Sequence, residues 1–338
     1  MTSLPDGVGP WPPERAWRWY AAQPWLCGCN YVPSNAINST DMWQAETFSP
    51  EVISRELGWA ADLGMNTCRV FVQYLVWESD PAGLKERFAR FLAICRNCGM
   101  RVLPVLFDDC HFAGREPYLG PQDPPVAGVH NSGWTPSPGH LRVDDPASWP
   151  QLERYITDMV GSFAQDPDIV AWDLYNEPGV GTLVRSLPLL EAVFAWARAA
   201  QPTQPLTSCL WNQSTEYDEL HRVAARNSDV ISFHDYNPMP QLGERIAELR
   251  SLGRPLICTE WMARITGSGF ESHLPVFRRE GVGCYCWGLV TGKTQTRYVW
   301  GSKPGTPEPE LWLHDVLHAD GQPYRQEEVD VIRALTHG

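Results

Sequence analysis

Short apolar runs alternate with longer segments of helical periodicity along nearly the whole of this 338-residue chain. An unbroken run of about four to eight apolar residues predicts a buried strand, and apolar positions that recur every three or four residues predict an amphipathic helix. The runs predict eight strands, at residues 25–31, 66–72, 101–107, 169–175, 205–210, 229–234, 255–260 and 283–288. The periodic segments predict eight helices, at residues 50–63, 84–97, 149–163, 187–200, 216–226, 241–252, 271–280 and 326–336.

Predicted strands and helices alternate, which is the order of an α/β protein built from β/α units. Eight strands with eight crossovers favour a closed (β/α)8 barrel, the TIM barrel, over an open sheet. No internal repeat or low-complexity linker divides the chain, and its length fits one such barrel. We therefore expect a single catalytic domain over residues 1–338, in which residues 1–24 form an N-terminal extension packed on the barrel.

Two connections are too long for simple barrel turns: residues 108–148 after the third strand and residues 289–325 after the eighth. Both are rich in Pro, Gly, Trp and His, and both leave the end of the barrel where barrel enzymes have their active sites. We predict that these two long loops wall a pocket. The alternative is that they are variable loops without a specific role.

The charge balance narrows the choice of partners. The chain has 27 basic and 40 acidic residues, a net charge of −13, which argues against a groove that follows nucleic-acid phosphates. No apolar run approaches the roughly 20 residues of a membrane span, and the N-terminus lacks the basic and apolar regions of a secretory signal. We expect a cytoplasmic protein that binds neither nucleic acid nor membrane.

Ten cysteines are predicted to be free thiols, because the expected compartment is reducing. Only Cys95 and Cys98 have the C-x-x-C spacing of a zinc or redox site. Neither a second such pair nor a nearby histidine completes that site, so packing at a helix end is the preferred interpretation.

Two of the apolar runs end in a glutamate. One leads into Asn176, Glu177 and Pro178, and the other ends at Glu260. In a parallel barrel the C-terminal ends of the strands open onto one central cleft, so strands four and seven bring both carboxylates there. Most enzymes that cleave a glycosidic bond use a pair of carboxyl groups that flank it, and two strand-end glutamates can supply them.

The chain resembles the clan A glycoside hydrolases, and among them the cellulase-like family of endoglucanases, mannanases and exo-acting β-glycosidases. The resemblance covers nearly the whole chain and rests on Asn176-Glu177-Pro178 after the fourth strand and Glu260 after the seventh. It implies that Glu177 is the acid/base, that Glu260 is the nucleophile, and that Asn176 bonds the sugar hydroxyl next to the anomeric carbon. Other residues with matching placement, implied to support the site or bind substrate, are Arg69, His234, Tyr236 and Trp287.

Chemistry gives independent reasons for these residue types. Hydrolysis with retention needs two carboxyl groups about 5 to 5.5 Å apart, one protonated and one ionised. We expect Arg69 to donate to Glu260 and hold it ionised, and Tyr236 to add a hydrogen bond to the same carboxylate. Glu177 then stays protonated beside the charge of Glu260, and acts as a base toward water once the glycosyl-enzyme has formed.

Aromatic side chains are expected to hold the sugar. Trp287 lies at the predicted barrel mouth, where an indole face suits the C–H groups of a sugar ring. Many of the 16 tryptophans must simply fill the layer between barrel and helices. Further candidate platforms are Trp43, Trp77, Trp134, Trp211, Trp261, Trp300 and Trp312.

The third strand departs from the pattern of the resemblance. Relatives commonly carry a sugar-binding histidine at or just beyond this strand, whereas here Phe107 is followed by Asp108, Asp109, Cys110 and His111. Either an aspartate replaces the histidine or His111 supplies it from a shifted position, so Asp108, Asp109 and His111 are candidate substrate-binding or supporting residues. They could also form a metal cluster, but they are adjacent on one loop and no distant ligand is identifiable. We predict no metal and no cofactor.

The sequence therefore predicts a retaining glycoside hydrolase that acts on β-linked, or equivalently configured, oligosaccharides or small glycosides. A pocket closed off by the two long loops predicts exo-action. A transglycosylase that uses the same carboxylates and a non-catalytic saccharide-binding barrel are the alternatives. The sugar, the linkage and the oligomeric state stay open.

Overall fold

The computed structural model describes residues 9–336 and contains the predicted barrel. Its strands are β1 Cys27–Asn30, β2 Thr67–Phe71, β3 Arg101–Asp108, β4 Trp172–Asn176, β5 Leu206–Thr207, β6 Ile231–His234, β7 Leu256–Trp261 and β8 Gly283–Trp287. All strand pairs are parallel, in the order β5-β4-β3-β2-β1-β8-β7-β6. A parallel bridge between Leu210 and Phe233 joins the β5 and β6 sides and closes the cylinder. The TIM-barrel prediction is confirmed.

Helices cover the outside of the barrel. They are α1 Pro13–Ala21, α2 Ser39–Trp43, α3 Pro50–Asp62, α4 Tyr74–Ser79, α5 Pro81–Asn97, α6 His140–Val143, α7 Trp149–Ser162, α8 Leu187–Ala199, α9 Asp218–Asn227, α10 Gln241–Arg250, α11 Phe270–Glu280 and α12 Gln326–Thr336. The eight predicted helices correspond to α3, α5 and α7 to α12. Helices α2, α4 and α6 are too short to produce a hydrophobic period, which is why the sequence pattern misses them. Among the described helices, none is long and apolar enough to cross a lipid bilayer.

Helix α1 lies across the N-terminal end of the barrel. The hydroxyl of Tyr20 donates to the carbonyl oxygen of Gly281 over 2.9 Å and accepts from the backbone N–H of Gly283 over 2.7 Å. Tyr20 also packs against a buried layer inside the barrel that includes Leu103 and Ile257. These contacts fix the segment at the end of the barrel opposite the strand tips that bear the glutamates. The first eight residues of the predicted extension lie outside the described residues.

The two long loops are hydrogen-bonded to each other. The backbone N–H of Asn131 donates to the carbonyl oxygen of Thr294 over 2.8 Å, and that of Gly305 donates to Ala127 over 2.9 Å. The side-chain amide of Gln295 adds a 2.8 Å bond to the carbonyl oxygen of Val126. Loops that are distant in sequence thus form one continuous wall above the C-terminal strand ends.

Arg264 joins the loop after β8 to helix α12. Its Nε and Nη2 atoms donate to the two carboxylate oxygens of Glu328 on α12, over 2.7 and 2.6 Å. Nη2 also donates to the carbonyl oxygen of Asp315 over 3.0 Å. Both partners of the ion pair are buried, so removing only one of them would leave an uncompensated charge. Arg264 therefore ties the loop to α12 through a buried ion pair.

Candidate active site

Glu177 projects from the first position after β4. Its backbone has a φ of +43°, in the left-handed region that residues other than glycine rarely adopt. Such strain is found where the surrounding structure needs a side chain at a particular point. Oε1 of Glu177 lies 2.9 Å from Nδ1 of His234 at the end of β6. The turn therefore delivers the carboxyl group to the centre of the barrel mouth.

Glu260 lies near the end of β7 and faces Glu177 across the cleft. Its Oε1 accepts a 2.7 Å hydrogen bond from Nη1 of Arg69, and its Oε2 accepts a 2.8 Å hydrogen bond from the hydroxyl of Tyr236. Both contacts agree with the hydrogen bonds expected from the sequence. Nδ1 of His234 is 3.5 Å from the same Oε2 atom. Each oxygen of Glu260 thus has a protein donor, one of them permanently charged.

The two glutamates are close together. One oxygen from each carboxyl group and one ring nitrogen of His234 lie within 4.8 Å of one another. That proximity fits the short separation, about 5 to 5.5 Å between carboxyl groups, used in double-displacement chemistry.

Arg69 is completely buried and uses every N–H it has. Nε and Nη2 donate to Oδ2 of Asp173, over 3.0 and 2.8 Å, and Nη2 also donates to Oδ1 of Asn176 over 2.7 Å. Nη1 donates to Oδ1 of Asn30 over 2.8 Å, besides its bond to Glu260. Arg69 therefore lies beneath the cleft, where it orients Asn176 and Glu260 and leaves no donor for a ligand.

Asn176 and Asp108 are bonded to each other. The Nδ2 atom of Asn176 donates to Oδ1 of Asp108 over 2.8 Å, and Oδ2 of Asp108 accepts from the indole Nε1 of Trp134 over 2.8 Å. Because Arg69 donates to Oδ1 of Asn176, the amide can have only one orientation. The second hydrogen on Nδ2 is then available to a ligand hydroxyl in the cleft.

Asp109 and His111 lie behind the loop that follows β4, away from the cleft. Asp109 accepts hydrogen bonds from Tyr175, from the backbone N–H of Gly179 over 2.7 Å, and from Thr182 and Ser186. The ring of His111 packs edge-on against His140, with 4.7 Å between ring centroids. Asp109 braces the backbone that follows Glu177, and His111 does not supply the histidine of the cleft. The metal cluster considered for Asp108, Asp109 and His111 is not what the fold forms, since both carboxylates are taken up by hydrogen bonds.

A cavity of about 480 Å³ surrounds the two glutamates. The loop after β3 lines it with Phe112, His130, Asn131 and Trp134, and the loop after β8 lines it with Trp300 and His314. Both long loops thus wall the pocket, as the sequence predicts. The individual residues His130, Asn131 and His314 were not anticipated, because loop positions have no periodicity and only the His- and Trp-rich composition of these segments was a signal.

Only some of the candidate tryptophans reach the cavity. Trp134, Trp211, Trp287 and Trp300 line it. Trp43 packs against Phe48, Phe88 and Phe91 instead, and Trp261 packs beneath α11 against Phe270 and Phe277. Trp77 is buried beside Tyr155, and Trp312 stacks on Tyr324. Interpreting these four as sugar platforms was wrong, because they fill space between helices, barrel and loops.

Burial raises the pKa of both glutamates, but their hydrogen-bond donors differ. Burial raises the pKa of Glu177 to about 7, against the opposing charge of Arg69. Burial also raises the pKa of Glu260, but this carboxyl has the guanidinium in direct contact and the Tyr236 hydroxyl as a second donor. Burial lowers the pKa of His234 to about 4, so its ring is neutral near pH 7. Hydrogen bonds from Arg69 and Tyr236 therefore stabilise the ionised form of Glu260.

The spacing of Glu177, His234 and Glu260 would also suit a metal ion. A cation bound there would compete for Glu260 with the guanidinium of Arg69, which is 2.7 Å from Oε1. A metal cation and a guanidinium that share one buried carboxylate repel each other.

Residues 38–291 match the model of the cellulase family, described as glycosyl hydrolase family 5. The match takes in strands β2 to β8 and helices α2 to α11, and contains both glutamates. No curated protein sequence gives a significant match.

Several solved structures are similar over most of the chain. The exo-β-1,4-mannosidase Op5Man5 from Opitutaceae bacterium strain TAV5 has a TM-score of 0.66 and 18% identity, with 99% of this chain and 63% of that chain covered. A GH5_18 protein from Streptomyces cattleya, in complex with Manβ1-4GlcNAc, has a TM-score of 0.63 and 15% identity, with 93% and 80% covered. An endo-β-1,4-mannanase from Thermotoga petrophila has a TM-score of 0.59 and 12% identity, with 94% and 77% covered. At these sequence identities, the comparison shows that this chain and the three proteins share a fold.

Proposed function

Because the chain belongs to the cellulase family, glycosyl hydrolase family 5, and is therefore a glycosidase, we propose that it hydrolyses β-linked oligosaccharides or small glycosides with retention of configuration. In this proposal Glu177 is the acid/base and Glu260 is the nucleophile. The observation that carries it is the unequal bonding of two adjacent carboxyl groups. Glu260 accepts from Arg69 and Tyr236, whereas desolvation raises the pKa of the half-buried Glu177 to about 7.

The first step forms a glycosyl-enzyme. A carboxylate oxygen of Glu260 attacks the anomeric carbon while the bond from that carbon to the glycosidic oxygen breaks, and Glu177 gives its proton to the departing oxygen. In the second step, the Glu177 carboxylate takes a proton from water, whose oxygen attacks the anomeric carbon and releases Glu260. Two inversions at the same carbon give net retention.

The contacts of the residues around the two glutamates indicate a role for each in this proposal. The free amide hydrogen of Asn176 can donate to the hydroxyl beside the anomeric carbon, a contact that strengthens as positive charge develops on the ring. His234 contacts Glu177 and Glu260 and fixes the distance between them. Trp287 and Trp211 offer aromatic faces for the sugar.

Exo-action is supported by the shape of the cavity. The two long loops meet over the cleft and are hydrogen-bonded to each other, as between Asn131 and Thr294. A groove for a polymer would have to pass between them. Op5Man5 is named an exo-β-1,4-mannosidase, and the Thermotoga protein is an endo-β-1,4-mannanase, so β-mannosides are the first substrates to test.

A panel of aryl β-glycosides tests the proposed activity, with manno, gluco, galacto, xylo and arabinofurano sugars, followed by mannopentaose and cello-oligosaccharides. We expect one sugar to be preferred and single residues to be released from the non-reducing end. Early products of intermediate length would contradict exo-action, and release of aryl alcohol without free sugar in the presence of acceptor sugars would indicate transglycosylation.

The activity is expected to fall as the pH rises through about 7. Burial raises the pKa of Glu177 to about 7, so the proton needed for the leaving oxygen is present below that pH and lost above it. With a poor leaving group, kcat/KM at pH 9 should be about 100-fold below its plateau. A dinitrophenyl glycoside, whose leaving group needs no proton, serves as the control and should show a much weaker decline. Equal profiles for both substrates would contradict the assignment of the acid.

A further inference from the structure

Besides Nε2 of His234 at the end of β6, two buried side-chain atoms of residues that line the cavity have no hydrogen-bond partner among the described residues. They are Oδ1 of Asn131, on the loop after β3, and Nε2 of His314, on the loop after β8. Asn131 is 1% exposed and His314 is 0% exposed. Leaving a buried acceptor without a donor is unfavourable, so such atoms point to a missing donor.

The contact of the other ring nitrogen, Nδ1, shows where the hydrogen of the His314 ring lies. Nδ1 lies 2.7 Å from the carbonyl oxygen of Met262. A carbonyl only accepts, so Nδ1 must carry the hydrogen. Burial lowers the pKa of His314 well below its usual value, which keeps the ring neutral. Nε2 of His314 is therefore a hydrogen-bond acceptor.

His130 repeats this arrangement beside the two. Its Nδ1 is 2.8 Å from the carbonyl oxygen of Tyr298, and burial lowers its pKa to about 4. Its Nε2 must likewise be an acceptor. The rings of His130 and His314 lie edge to face, with centroids 5.7 Å apart. The wall made by the two long loops thus presents acceptors of hydrogen bonds and neutral rings.

We propose that Asn131 and His314, with His130 beside them, form a subsite that selects the sugar by accepting hydrogen bonds from its hydroxyl groups. This inference rests on the proposed function, and it adds residues outside the strand ends that carry the glutamates. The ligand class it specifies is a neutral sugar, whose hydroxyls supply the donors that the wall lacks.

The same chemistry excludes acidic sugars. A uronic acid would bring a carboxylate, which only accepts, towards Nε2 of His130 and Nε2 of His314, which also only accept. None of the described residues lining the cavity is an arginine or a lysine, and Arg69 beneath it has no N–H to spare. A buried carboxylate without a counter-charge is strongly disfavoured.

The wall is preorganised for this role. The backbone N–H of Asn131 is bonded to Thr294 of the other loop, and its carbonyl accepts from the N–H of Trp134 over 3.0 Å. Its φ of +48° lies in the left-handed region, where asparagine, aspartate and glycine are tolerated best. This conformation makes the position suitable for testing, because glycine removes the side chain there without backbone strain.

The test measures binding rather than turnover. Methyl 1-thio-β-D-mannopyranoside, its gluco epimer and the two corresponding uronic acids, which are resistant to hydrolysis, are titrated calorimetrically into the intact protein at pH 6. We expect the better neutral sugar to bind at least about tenfold more tightly than its uronic acid. Asn131→Gly should weaken the binding of the neutral sugar by about 10- to 100-fold.

The ring of His314 gives a second variant. His314→Phe keeps an aromatic ring and removes the acceptor, so it should weaken binding of the neutral sugar by a similar factor, with the folded state checked by circular dichroism. Wild-type binding by Asn131→Gly, equal binding of the uronic acid, or no binding of any of the four probes to the wild-type protein would each overturn the proposal. If the neutral sugar binds as expected and no glycoside is hydrolysed, the proposed function alone fails.

Discussion

Glu260→Ala is expected to lower kcat for an aryl β-glycoside by about 10⁵-fold, while the protein stays folded. Alanine removes the carboxylate that forms the covalent bond, and no described side chain nearby can replace it, because Arg69 and Tyr236 are donors to the lost group. Steady-state rates with the preferred aryl glycoside measure the effect. Glu244→Ala, at an exposed position on α10, is the matched control and should keep wild-type activity.

Azide identifies the face on which Glu260 acts. In Glu260→Ala the anion can occupy the space of the lost carboxylate and attack the anomeric carbon from that face in a single displacement. With an activated glycoside, the product should be the glycosyl azide of inverted configuration. Residual activity above about 1% of wild type, in protein free of wild-type contamination, would contradict the role of Glu260.

Glu177→Ala is expected to lower kcat/KM by about 10³- to 10⁴-fold for glycosides with poor leaving groups. The loss should be far smaller for dinitrophenyl glycosides, because their leaving groups depart without a proton. The glycosyl-enzyme should then accumulate, since no base remains to activate water, and a pre-steady-state burst of phenol should be seen.

Azide should rescue Glu177→Ala in a different way. The anion needs no general base, so it should attack the glycosyl-enzyme, raise the turnover of the dinitrophenyl glycoside and give a glycosyl azide of retained configuration. Failure to recover activity at any azide concentration, or an inverted product, would contradict the assignment of Glu177.

Strand order and strand ends are the part of this protein that its sequence predicts best. Apolar runs locate the strands because burial on both faces demands unbroken apolar sequence. Residues at or just beyond the strand ends, such as Glu177, Glu260 and Tyr236, then meet because all parallel strands have their C-terminal ends at the same end of the barrel. The strand pattern predicts their proximity without any knowledge of the loops.

The alternation of side-chain direction along a strand also predicts which residues face away from the cleft. Side chains point to opposite sides at successive positions, so Trp261 must face the helices if Glu260 faces the cleft. The same rule separates Asp108, which bonds Asn176, from Asp109, which bonds the loop after β4. Applied strictly, it would have removed Trp261 and Asp109 from the set of cleft residues.

The cavity wall could not be predicted in the same way. Asn131 and His314 reach the cleft because the loops are held by hydrogen bonds between distant residues, such as the bond from Asn131 to Thr294 and the contacts of Arg264 with Glu328. Irregular segments have no period that sets the direction of a side chain. Only the richness of these loops in His and Trp indicated that they face a pocket.

The assignment of Glu260 as nucleophile is tested most directly by trapping the covalent intermediate. In a 2-deoxy-2-fluoro glycosyl fluoride of the preferred sugar, the fluorine at C2 slows both formation and hydrolysis of the glycosyl-enzyme. The anomeric fluoride is a good leaving group, so the glycosyl-enzyme should still form and then persist. Intact-protein mass spectrometry should then show one added fluorosugar, and peptide mapping should place it on Glu260. An adduct on Glu177, or no adduct together with a first product of inverted configuration by NMR, would contradict the account.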